Sequence, residues 1–151
     1  MEQTPSMMPD RANALPAQPT DAAALHVFVY GTLRAGGSND IARYDPAPRL
    51  MGTTRVNGTL YDLGAYPGLR LCGSSSVAGE IYLIDRSLEQ LLDRLESVRS
   101  DGTGEYVKRS VVVRLQGTAL ECLVYEIQAD RIAQAAVVSS GDWMAHVGRG
   151  R

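Results

Sequence analysis

At 151 residues the chain is long enough for one domain with a sizeable core and short for two ordinary ones. Its formal net charge of -2 and the lack of any concentrated run of Lys and Arg give no electrostatic footprint for a polyanion, so nucleic acid is not an expected partner. No stretch approaches the roughly 20 apolar residues that span a bilayer, and the acidic, proline-containing N-terminus has no apolar signal core, so the expectation is a cytoplasmic protein with no membrane partner.

Residues 1–25 are rich in Pro, Ala, Gln, Asp and Thr and show no sustained period of 2 or 3.6. Such a segment buries too little apolar surface to offset its ordering entropy, and it reads as a disordered extension. The expected domain runs over residues 26–144, with a flexible tail at 145–151. His26 to Tyr30 (HVFVY) is a short β-branched and aromatic run stopped by Gly31, the pattern of a buried strand entering a tight loop. A short helix is expected around Ser38 to Tyr44. Arg55 to Leu63 reads as a second strand ended by Gly64 and a turn at Pro67 and Gly68, and Val77 to Ile84 as a third.

Leu88, Leu91, Leu92 and Leu95 recur at the spacing that lines one helical face, with Asp85 or Ser87 placed to cap the start and Glu96 at the far end. Val107 to Leu115 and Ala119 to Ile127 form an expected hairpin around Gln116, Gly117 and Thr118. Strands dominate and follow at short intervals, which predicts an α+β fold: a small barrel or strongly curved mixed sheet with helices packed outside.

The loop Tyr30 to Ser38 has Gly31, Gly36 and Ser38 at phosphate-loop spacing, but Gly37 stands where that motif needs its lysine. Two readings stay open for it: glycines that merely permit a tight turn, or a concave run of backbone N–H groups that takes an anion, a carboxylate included. Among the acidic residues, Glu80 lies in an alternating strand and points either to water or to a pocket. Glu105 leads the next strand, and Glu96 sits at the margin of the leucine stripe, where apolar surroundings raise a carboxylate toward neutral pKa and make it useful for proton transfer. His26 and His146 are isolated, Cys72 and Cys122 lack the paired spacing of a zinc or redox motif, and no serine sits in a GxSxG elbow. Metal-site and serine-nucleophile chemistry are therefore not expected.

Five segments in order carry a resemblance: Val29-Tyr30-Gly31-Thr32-Leu33-Arg34, Leu60 to Gly68 (LYDLGAYPG), Val77 to Tyr82 (VAGEIY), Leu92-Asp93-Arg94-Leu95-Glu96 followed by Gly104-Glu105-Tyr106, and Ser140-Gly141-Asp142-Trp143. Together they resemble the successive signatures of the gamma-glutamylcyclotransferase-like (AIG2-like) family, over about His26 to Trp143. The resemblance implies a small mixed β-barrel with flanking helices. It implies an amide-cleaving cyclotransferase in which Glu96 is the acid/base, and Tyr30, Gly31, Thr32, Leu33 and Tyr106 contact a small gamma-glutamyl substrate. The products would be 5-oxoproline and a free amine or amino acid, without metal or cofactor. Ser97 departs from the pattern, standing where many members have a glycine. The alternative is a non-catalytic small-molecule-binding module of the same fold; neither the leaving amine nor the oligomeric state is legible.

Overall fold

The computed structural model describes residues 25–96 and 104–150. The extension expected over residues 1–25, its last residue apart, and most of the loop between Glu96 and Gly104 lie outside them. Strand β1 (Leu25–Val29) is followed by a 3-10 turn at Ile41–Arg43, β2 (Arg49–Asn57), β3 (Thr59–Asp62), β4 (Pro67–Arg70) and β5 (Ser76–Ile84). Helix α1 (Arg86–Leu95) leads through the undescribed loop to the hairpin β6 (Tyr106–Leu115) and β7 (Thr118–Ile127), then a 3-10 turn at Ala129–Arg131, β8 (Ala136–Val137) and α2 (Trp143–Gly150).

All these strands belong to one mixed sheet in the order β2-β5-β1-β7-β4-β3-β8, with β6 on β7. β1 runs antiparallel to β5, with Val29 opposite Glu80, and parallel to β7 at His26–Cys122 and Val27–Leu123. β4 is also parallel to β7, pairing Leu69 with Glu126. Since β6 pairs with β7 along its whole length, β1 and β4 share the remaining edge of β7 end to end. The sheet curls until β2 meets β6, where the Thr54 hydroxyl donates to the Arg114 carbonyl at 2.9 Å. The result is the small, incompletely closed mixed barrel that the sequence pattern implies.

Both faces of the central strands are covered, which explains why HVFVY is continuously apolar instead of alternating. Phe28, Val77, Ile81, Cys122 and Val124 lie in one cluster with Trp143 of α2. Val27, Val29, Tyr82, Ile84, Tyr125 and Ile127 lie in the other, against Leu88 and Leu92 of α1. Both leucines are fully buried, each contributing about 1.5–3 kcal/mol. Asp85 is the α1 cap, accepting from Leu88 N at 2.9 Å, and Gln116 and Gly117, both with positive φ, form the two-residue turn that suits a twisted hairpin.

Several boundaries differ from expectation. The long second strand is two strands, β2 and β3, because the chain breaks at Gly58, where an added Cβ would come within 2.7 Å of the Arg70 carbonyl oxygen. Only Ile41–Arg43 of the expected short helix closes as a 3-10 turn. Instead of a flexible tail, residues 143–150 form α2: Asp142 accepts from Ala145 N at 3.1 Å, Trp143 is buried, and the His146 ring bonds Asp62 at 2.8 Å.

Candidate active site

The strand ends that carry the loop after β1, the start of β4, the start of β6 and the end of α1 converge on one cavity of about 220 Å3. Its lining includes Tyr30, Gly31, Thr32 and Leu33 from the first loop, Tyr66 and Pro67 before β4, Leu95 and Glu96 from α1, Glu105 and Tyr106 at β6, and Tyr125 on β7. Every residue to which the sequence assigned a part in the site therefore lines the same cavity.

The loop is wound tightly on itself. Arg34 N donates to Gly31 O at 3.0 Å, Gly37 N to Arg34 O at 2.8 Å, Asn39 N to Thr32 O at 2.8 Å and Ile41 N to Leu33 O at 2.9 Å. Asp40 accepts from the N–H groups of Gly36 and Ala42. Among the described residues, the N–H groups of Gly31, Thr32 and Leu33 take no protein acceptor. A run of unpartnered donors at the wall of a cavity suits an anion. Gly31 also has a steric reason to be glycine, since a Cβ there would lie 2.6 Å from Pro67 Cγ.

The tyrosines build the walls. Where β1 and β4 abut along β7, the Tyr30 hydroxyl donates to the Tyr125 carbonyl at 2.6 Å and accepts from Leu69 N at 3.2 Å. It satisfies backbone groups that the interrupted ladder leaves over, so Tyr30 offers a substrate its ring and backbone, not its hydroxyl. Tyr106 is similarly committed, donating to Pro67 O at 2.7 Å, and its ring lies 6.5 Å from that of Tyr66. The Tyr125 hydroxyl donates to Asp93 Oδ1 at 2.7 Å, and Lys108 Nζ bridges Asp93 at 2.9 Å and Glu89 at 2.6 Å. Burial, together with the Glu96 charge, holds the Tyr30 and Tyr106 hydroxyls well above the ordinary tyrosine range.

Glu96 closes α1, its N–H donating to Leu92 O at 2.9 Å. The residue is half-buried, with Leu95 exposed beside it on the cavity rim. Desolvation, and after it the negative charge of Glu105, push the Glu96 carboxyl from 4.5 to about 7. Glu105 itself accepts a hydrogen bond from the Tyr66 hydroxyl. A carboxylic acid poised near neutrality can both accept and return a proton at physiological pH.

Glu80 takes neither of the two orientations open to it in the sequence. It is buried but does not line the cavity. It accepts from Arg34 Nε at 2.8 Å, Ala35 N at 2.9 Å and the Tyr82 hydroxyl at 3.2 Å. Tyr66 and Tyr125 line the cavity, and the Asp93–Lys108 pair stands behind Tyr125; sequence reasoning singled out none of them. Asp93 stood inside the quoted LDRLE segment, and Tyr125 on the β7 face opposite Val124, so the signal for both was positional only.

A mixed barrel whose strand ends bring a glycine turn and a half-buried glutamate to the wall of one cavity has the form of a small-molecule site. The model of the family described as "Gamma-glutamyl cyclotransferase, AIG2-like" matches residues 27–145, and the chain belongs to that family. A protein of Vibrio cholerae serotype O1 named "Putative gamma-glutamylcyclotransferase" is 42% identical over 123 residues, which cover 80% of this chain and 96% of that protein. Among solved structures, an AIG2-like protein of Mus musculus is 25% identical with a TM-score of 0.60, covering 74% of this chain and 84% of that one. YkqA of Bacillus subtilis shares the fold at 24% identity and a TM-score of 0.65; the match covers 85% of this chain but only 43% of YkqA. Among the described residues no helix is long and apolar enough to cross a membrane.

Proposed function

We propose that the protein is a cytoplasmic gamma-glutamylcyclotransferase that cuts a gamma-glutamyl amide by intramolecular cyclisation. The observation that carries this reading is a half-buried glutamate with a pKa near 7 in the same cavity as the free N–H groups of Gly31, Thr32 and Leu33. The loop N–H groups bind the carboxylate of the glutamyl part and so hold the substrate for ring closure. Glu96 takes a proton from the substrate's alpha-amino group, which attacks the gamma-carbonyl carbon. A C–N bond forms to close the five-membered ring, the amide C–N bond breaks, and Glu96 returns the proton to the departing amine.

Atoms balance without water: one gamma-glutamyl amide gives one 5-oxoproline and one amine or amino acid. Nucleophile and electrophile belong to one molecule, so the site has only to hold it folded, and the aromatic walls of Tyr30, Tyr106 and Tyr125 supply that shape. The test is mass spectrometry on the purified protein incubated with a panel of gamma-glutamyl compounds. Release of 5-oxoproline that disappears in Glu96→Gln supports the reading; ligand binding with no product from any compound replaces it with the binding-module alternative.

A further inference from the structure

The Arg34 guanidinium lies between two carboxylates from distant parts of the chain. Its Nε is 2.8 Å from Glu80 Oε2 on β5, and its Nη1 is 2.8 Å from Asp142 Oδ1 at the head of α2. The side chain is mostly buried, with 12% of its surface exposed. Each anchor is itself fixed. Glu80 also accepts from Ala35 N and the Tyr82 hydroxyl. Asp142 caps α2 through Ala145 N, and the Gly141 carbonyl just before it accepts from Ala78 N on β5 at 2.7 Å. Arg34 is also the closing residue of the turn that presents the free N–H groups, since its own N–H bonds Gly31 O.

We infer that Arg34 is the positioning residue of the substrate loop and that Asp142, through it, makes the C-terminal helix a working part of the pocket. The donors of Gly31, Thr32 and Leu33 gain their fixed direction from a turn whose last side chain cannot move without breaking two charge-assisted hydrogen bonds. A lysine at this place would keep the charge but lose the planar fork that spans two acceptors. The cavity-facing role rests on the cyclotransferase reading; the positioning role does not.

Asp142→Asn separates the two functions of Asp142. Asparagine caps a helix about as well as aspartate, but it removes the charge facing Arg34. In Asp142→Asn, backbone hydrogen exchange should speed up several-fold at the bonded loop N–H groups of Arg34, Ala35, Gly37 and Asn39 while the β6–β7 hairpin exchanges as in the parent. With a gamma-glutamyl substrate that the parent turns over, KM should rise roughly tenfold and kcat stay within about twofold, the pattern for loss of one charge-assisted contact that serves binding. Arg34→Lys should show the same split. The inference is overturned by loop exchange equal to the parent's, by exchange that rises equally across the hairpin, or by a loosened loop with an unchanged KM. A parent that turns over no gamma-glutamyl compound removes the cyclisation reading instead, and the exchange measurement then decides the positioning role alone.

Discussion

Replacing Glu96 by glutamine should stabilise the protein at alkaline pH and not at acidic pH. The folded environment lifts the Glu96 carboxyl from 4.5 to about 7, chiefly by desolvation and then by the Glu105 charge. A carboxyl whose folded value is raised contributes stability that is fully present below about pH 4.5 and is lost as pH rises through about 7. The rise corresponds to on the order of 3 kcal/mol of penalty on the ionised form, and solvent at the open cavity mouth reduces this to about 1–2 kcal/mol. Glutamine keeps the shape and never ionises, so the penalty disappears. At this chain length about 1 kcal/mol moves the melting temperature by roughly 2–4 °C. Thermal melts of parent and Glu96→Gln at pH 5 and pH 8.5 should show a gap that is small at the lower pH and widens by roughly 2–8 °C at the higher. A gap that stays constant across this range would falsify the claim that Glu96 is a strained acid in the native state.

Further predictions follow from the neighbours of Glu96. Glu105→Gln removes the negative charge that discourages Glu96 from ionising, so the acid limb of the kcat/KM profile should move to lower pH by roughly half a unit; a limb that stays in place shows that desolvation alone sets it. Tyr30→Phe leaves the Tyr125 carbonyl and the Leu69 N–H buried without their shared partner, at a cost of about 1–3 kcal/mol in urea denaturation, whereas a loss under about 0.5 kcal/mol would mean that these backbone groups find other partners. Gly31→Val drives a side chain into Pro67 and should abolish retention of a gamma-glutamyl ligand in equilibrium dialysis while Thr32→Ser stays mild; full binding by both variants removes the loop from the site.

Much of the architecture was legible because local patterns and tertiary contacts agree. HVFVY, the capped leucine helix and the Gln116-Gly117 hairpin each form where their periodicity or turn chemistry placed them. The pattern fails at Pro67–Arg70, where proline and glycine read as a turn but form strand β4. Proline is tolerated at a strand's first residue, and Gly68 leaves room for Ile127, whose Cβ would lie 2.7 Å from any Cβ at that position. α2 was obscured by its glycines and polar residues, although Asp142 stood at its head as a capping signal.

Within the site, the leucine spacing and the family resemblance already favoured Glu96 over Glu80, but the direction of the Glu80 side chain was open, and its three-dimensional partners settle it. Glu80 is occupied by a guanidinium, an N–H and a hydroxyl, and it does not line the cavity. Glu96 faces a cavity walled by tyrosines whose hydroxyls are committed elsewhere: Tyr30 to the β7 backbone, Tyr106 to Pro67 and Tyr125 to Asp93. What raises the Glu96 carboxyl there is desolvation by these walls, and after it the charge of Glu105. The packing that commits each tyrosine hydroxyl to the scaffold is thus also the packing that desolvates the glutamate beside it.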